Sequence, residues 1–125
     1  MDEKGKIEHF TDLDAWQINH KVALAIYKIS KKFPKDERFG LTDQLRRAAV
    51  SIATNIAEGW GRFHYKDRAR FYYQARGSNA EVQSLLILAK DLGYLSEKEL
   101  NEIKVLVFRG FKVLNGLIRS VENRS

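Results

Sequence analysis

Apolar residues recur along this chain at steps of three and four, the spacing that puts side chains on one face of a helix. Four stretches carry it. The first is predicted over residues 12–33, opened by Asp12 or Asp14 as an N-cap and closed by Pro34. It has two stripes. Ile18, Val22, Ile26, Ile29 and Phe33 are assigned to the core; Leu13, Trp16, Ala23 and Tyr27, with His20 among them, are assigned to a half-covered or neighbour-facing side. The second helix is predicted over 41–57 on Leu41, Leu45, Ala48, Ile52 and Ile56, with Gly59 as its C-terminal stop. Its small residues Ala48, Ala49, Ser51 and Ala53 let another helix come close.

The third helix, 65–92, is the longest. Phe71, Ala75, Ser78, Val82, Leu85, Ala89 and Leu92 form a heptad seam. A second spacing runs through Ala69, Tyr73, Arg76, Ala80, Gln83 and Ile87, with Tyr72 beside it. A helix with two seams is expected to pack against its own bundle and against another subunit. Gly77 and Ser78 fall mid-helix, where glycine costs about 1 kcal/mol relative to alanine; close approach to the second helix is the expected compensation. Gly93 closes this helix. Ser96 and Glu99 form a capping box that opens the fourth, 97–121, with its seam on Leu100, Ile103, Val107, Gly110, Leu114, Leu117 and Val121. Short connections favour antiparallel neighbours. The prediction is therefore an all-α, antiparallel, up-down-up-down four-helix bundle over 12–121, after a flexible polar lead over 1–11.

Composition narrows the classes. The 125 residues are enough for one domain with its own core. The absence of cysteine excludes disulfides and thiolate metal sites and fits a cytoplasmic compartment. The start, MDEKGKIEHF, has no apolar core of a signal peptide, and no apolar run approaches the roughly 20 residues of a membrane span. Net charge is +6 and the sequence pI about 9.6. The excess is uneven: residues 1–37 are neutral overall, 38–93 carry +4 and 94–125 carry +2. In the middle segment it is mostly arginine, the better residue for gripping phosphate. Arg62, Lys66, Arg70 and Tyr73 fall within about 80° on a helical wheel. Three cations and a ring on one strip suit phosphate contact with base stacking; a solvated face, or arginines used between subunits, gives the same pattern.

Catalytic chemistry finds little support. None of His9, His20 and His64 has a Glu-x-x-His or His-x-x-x-His partner, and no phosphate-binding glycine loop follows a strand. Glu58 and Glu81 are the one carboxylate pair that can be imagined meeting. The more economical reading makes Ser51, Asn55, Glu58, Gly59 and Glu81 a structural polar corner, tied to Arg46, Arg47 or Arg62 by hydrogen bonds. No catalytic residue, cofactor or metal site is expected.

The segments LTDQLRRAAVSIATNIAEGWGR, ARGSNAEVQ and AKDLGYL, with DLDAWQ and FPKDERFGLT before them, resemble the four-helix-bundle family of 23S rRNA intervening-sequence proteins. The likeness spans about residues 10–120. Arg46, Arg47, Ser51, Asn55, Glu58, Gly59, Arg62, Gly77, Ser78 and Glu81 match the family pattern; Trp60 and Phe63 stand where the family often has smaller or polar residues. The resemblance implies small bacterial proteins, some encoded within insertions in large-subunit rRNA genes, that fold as antiparallel bundles and assemble as homopentameric rings. The architecture is also similar to the accessory protein of diversity-generating retroelements, a basic pentamer that works with a reverse transcriptase and nucleic acid. The resemblance attaches no catalytic role to these residues. Two functions are expected from the residues and the resemblance together. One is a non-enzymatic oligomer that binds RNA or DNA through Arg62, Lys66, Arg70 and Arg76, with Arg46 and Arg47. The alternative is a scaffold for a protein partner, such as a nucleic-acid enzyme, displaying Trp60, Phe63 and Tyr73 without touching nucleic acid itself.

Overall fold

The computed structural model describes residues 6–124. Its regular elements are α1 (Asp14–Ser30), α2 (Leu41–Trp60), α3 (Tyr65–Asp91) and α4 (Glu97–Glu122), with 3-10 turns at Phe10–Asp12 and Lys35–Glu37. No strand occurs among the described residues. α1 packs on α2, α2 on α3, α3 on α4, and α4 returns to α1, which makes a four-helix bundle. Between α2 and α3, Gly59 lies against Tyr72, Ser51 against Ser78 and Gln44 against Glu81.

The core follows the apolar spacing most closely on α2. Leu41, Leu45, Ala48, Ile52 and Ile56 are all buried. α2 nonetheless runs past the expected stop. Gly59 is helical and buried, and a Cβ on it would sit 2.7 Å from Cε1 of Tyr72. Its missing side chain serves helix–helix approach, not termination. The reverse holds for Gly77, which is exposed with nothing within 4 Å of a built Cβ. Only its neighbour Ser78 makes the expected close contact, its hydroxyl 2.8 Å from that of Ser51.

Three other stripes shift by a residue. On α3 the buried line is Ala69, Tyr72, Ala75, Asn79, Val82, Leu85, Leu86 and Ala89, while Phe71 and Ser78 are half-buried and Leu92 is exposed. α3 is covered by both α2 and α4, so it buries an arc wider than one heptad seam. On α4 the expected seam is buried except Leu117, whose place Ile118 takes. On α1, Ile18 and Ile29 are half-buried, and Asn19 and Ser30 are buried instead. Each finds backbone partners. Asn19 Nδ2 donates to Ala15 O at 2.8 Å and Gly110 O at 3.3 Å, and Ser30 Oγ donates to Ile26 O at 2.6 Å. From the other side Asn79 Nδ2 donates to Val107 O at 3.2 Å. Two buried amides thus grip the α4 backbone at the place where Gly110 leaves room.

The helix ends also have identifiable causes. α4 has the expected Ser96–Glu99 capping box, and Gly93 takes a φ of 84°. α1 does not use an aspartate cap: its N-cap is Leu13, and Asp12 Oδ2 instead accepts from the Glu8 and His9 N–H groups. α1 ends at Ser30, a turn before Phe33, which is still buried ahead of Pro34. Residues 1–5 of the expected flexible lead lie outside the described residues. Within the rest of that lead, Ile7 and Phe10 pack on the core and Phe10 meets Trp16 edge-on.

Candidate nucleic-acid interface

The turn from α2 to α3 gathers cations and rings because a tight connection brings a helix C-terminus and the next N-terminus together. Arg62 Nη2 donates to Glu58 at 3.2 Å, one turn back, and its guanidinium lies 4.6 Å from the Phe71 ring centre. Arg70 stacks on the same ring at 4.8 Å. Lys66 stands exposed on the outer side of α3. Neither Lys66 nor Arg70 has a carboxylate within ion-pair distance among the described residues. Arg62, Lys66 and Arg70 therefore do share one end of the molecule.

The other expected cations lie elsewhere. Arg76 is half-buried, donates to Asn115 Oδ1 at 3.0 Å on α4, and lies 5.4 Å from the Tyr73 ring. The Tyr73 hydroxyl donates to Glu122, and that hydrogen bond is the main reason its pKa is raised; desolvation adds to it. Arg46 is turned inward, with Nε donating to Ser30 Oγ at 2.8 Å and its guanidinium 4.7 Å from the Tyr27 ring. Arg47 pairs with Asp43 at 2.9 Å. Both are about 24 Å along the α2 axis from Arg62.

The polar corner resolves into separate pieces. Asn55 Nδ2 donates to both Ser51 O and Ser51 Oγ at 2.9 Å, and Ser51 meets Ser78. Among the described residues Glu58 holds only Arg62, at the surface. Glu81 faces Gln44 at 3.5 Å, about 21 Å along α2 from Glu58. The two carboxylates do not meet and cannot act on one group. Among the described residues no group of His, Asp or Glu could hold a metal ion, and no helix is long and apolar enough to cross a membrane.

A family model also matches this chain. The model for the 23S rRNA-intervening sequence protein matches residues 11–116. The chain belongs to this family. No curated protein matches it. Among solved structures, a protein of unknown function from the S23 ribosomal protein family of Bacteroides thetaiotaomicron VPI-5482 is similar, with a TM-score of 0.77 and 20% identity over 83% of this chain and 97% of that one. At that identity the likeness concerns the fold. In this family member Ser51, Gly59 and Ser78 lie where α2 meets α3, and Asn55 holds Ser51 in place.

Two cations at the corner were not among the sequence-predicted site residues. Arg68 Nε donates to Arg62 O at 2.8 Å, and its guanidinium lies 4.9 Å from the Trp60 ring and 5.6 Å from that of Tyr65. Arg124 comes from the far end of the chain, lies 5.4 Å from the Tyr65 ring and donates to its hydroxyl at 3.3 Å. Arg68 lies in the arginine-rich middle segment; its role is set by the rings around it. Arg124 had no local signal, because its partner is 59 residues away.

Proposed function

We propose that this protein is a non-enzymatic, oligomeric bundle that binds RNA or DNA electrostatically at the α2–α3 corner, with Arg62, Lys66 and Arg70 at its centre. The observation that carries this reading is that, among the described residues, Lys66 and Arg70 have no carboxylate partner and Arg62 has only the exposed Glu58. Exposed ion pairs of this kind contribute little and exchange readily for phosphate. Arg76, Arg46 and Arg47 are held by other contacts and belong to the rim of such a surface, or reach it from a neighbouring copy. The test is a titration of fluorescent RNA and DNA at two salt concentrations. Binding should weaken steeply with salt, and replacing Arg62, Lys66 and Arg70 with glutamine should lower the log–log slope by roughly two to three. Loss of the slope change, or no binding by the wild type at low salt, sinks the reading.

The bundle is taken to be antiparallel, up-down-up-down, since successive residues of α3 meet earlier and earlier residues of α2. It is taken to assemble as a homopentamer in the cytoplasm. Exposed apolar residues on several sides support self-association: Leu24, Tyr27 and Val50 around an α1–α2 cavity of about 580 Å³, and Val105 and Phe108 on α4. Light scattering tests this, and a monomer at micromolar concentration counts against it. The same apolar surface favours the second reading, a scaffold for a nucleic-acid enzyme. A pulled-down partner that survives nuclease treatment favours the scaffold over direct binding.

A further inference from the structure

Phe63 sits in the turn between α2 and α3 with 87% of its surface exposed, the most open large apolar side chain among the described residues. A phenylalanine left in water at this place is not explained by the core. Its ring contact is edge-on with the adjacent His64, at 5.0 Å between centres, so a ring face stays available. Around it run the stacked contacts Trp60–Arg68–Tyr65–Arg124 and Arg62–Phe71–Arg70. The rings hold these guanidiniums in place and, among the described residues, leave most of their N–H groups without a protein acceptor. Arg68 uses one on the Arg62 carbonyl, Arg124 one on Tyr65, and Arg62 one on Glu58.

We infer that this corner takes a single strand, not a duplex: Phe63 stacks an unpaired base, while Arg68 and Arg124 hold the flanking phosphates. The inference rests on the nucleic-acid reading above and names its substrate class. The physical reason is the alternation of charge with open rings. A duplex offers phosphates but hides its base faces, so an exposed phenylalanine adds nothing to it. A single strand offers both, and base–aromatic stacking adds to the salt-dependent term. Held guanidiniums also lose less freedom when they meet phosphate, which favours a defined contact over a diffuse one. The carboxylates on these segments, Glu58, Asp67 and Glu122, are fewer than the cations Arg62, Lys66, Arg68, Arg70 and Arg124.

The experiment uses the full chain with labelled oligo(dT) and oligo(rU) of about 12 nucleotides, and a DNA duplex of matching length. The single strands should bind at least tenfold more tightly than the duplex. Phe63→Leu should weaken single-strand binding by roughly 5- to 150-fold, the range for one stacked base, and leave duplex binding within twofold. Arg124→Gln, at an exposed position in the turn after α4, should lower the single-strand salt slope by about 0.7, one phosphate. Arg68→Gln should do the same, with circular dichroism confirming its fold; Arg124→Gln keeps the test open where Arg68→Gln does not fold. Equal affinity for duplex and single strand, an unchanged Phe63→Leu affinity, or an unchanged Arg124→Gln slope overturns this inference while the broader reading stands. Displacement by poly-glutamate as effective as by oligo(dT) also overturns it and marks a surface for acidic proteins. A wild type that binds neither strand nor duplex overturns both.

Discussion

One substitution made at two glycines should shift stability in opposite directions. Gly59 and Gly77 are both helical, and each loses roughly 1 kcal/mol of helix propensity relative to alanine. At Gly77 a Cβ meets nothing within 4 Å, so Gly77→Ala keeps the whole gain. At Gly59 a Cβ would lie 2.7 and 3.0 Å from two Tyr72 ring carbons and 3.1 Å from Cβ of Phe71. Tyr72 is fully buried, so its ring has no solvent to swing into and α3 must move instead. Overpacking of this kind costs roughly 1–3 kcal/mol, and three close contacts, two of them with the buried Tyr72 ring, place it at the upper end. After the propensity gain, Gly59→Ala is left destabilised by about 2 kcal/mol. With an unfolding entropy of about 2.1 cal/mol/K per residue, that lowers the melting temperature by about 8 °C, while Gly77→Ala raises it by about 4 °C. Thermal and urea unfolding followed by circular dichroism measure both. A Gly59→Ala protein as stable as wild type would refute the packing argument, because propensity alone predicts a rise at both positions.

Three further outcomes follow from contacts elsewhere in the bundle. A Cβ at Gly110 would lie 2.5 Å from Asn19 Oδ1, so Gly110→Ala should cost roughly 2–3 kcal/mol, and Asn19→Ala in the same chain should recover part of it; simple additivity in a double-mutant cycle by urea unfolding contradicts this. Ser96→Ala removes the hydroxyl that accepts from the Glu99 N–H and should cost about 1 kcal/mol, seen as a lower urea midpoint; an unchanged midpoint argues that the cap is redundant. The Glu37 carboxyl is held below its ordinary 4.5 by the Leu41 N–H first and then by the Tyr94 hydroxyl. A group depressed in the folded state contributes stability above its unfolded pKa and loses it as pH falls through the folded one. Stability should therefore fall below about pH 4.5, and Glu37→Gln should make the denaturant midpoint less sensitive to pH in that window while leaving it lower near neutrality.

The four helices could be read from spacing because each has one side that must be dry, and dryness repeats every three or four residues. α2 was legible almost residue by residue, since its buried side is aliphatic and small. α3 was displaced by one position because two neighbours cover it, and a pattern of letters does not say how wide the covered arc is. Tyr72 and Asn79 look polar in sequence yet are fully buried, one under Gly59 and one against the Val107 carbonyl. Asn19 is the same case on α1: only the gap at Gly110, 91 residues on, makes an amide there affordable. Glycine carried the same ambiguity. Gly59 read as a stop and proved to be a contact, while Gly77 read as a contact and proved to be open, because a missing side chain is defined by what lies across from it.

The candidate interface divides along the same line. That cations cluster after Gly61 is a property of the sequence. Which of them point outward is a property of the rings they stack on. Arg46 stands inside α2 and Arg62 just past its end, yet Tyr27 and Ser30 turn the first inward and Phe71 leaves the second at the surface. Arg124 joins the corner only because α4 ends beside the start of α3, where Tyr65 receives it. On the proposed reading, net charge sets how strongly a polyanion is attracted and the aromatic residues set where it settles. Exchanging Trp60 or Tyr65 for leucine should disturb binding while the charge stays the same, which a description in terms of charge alone does not allow.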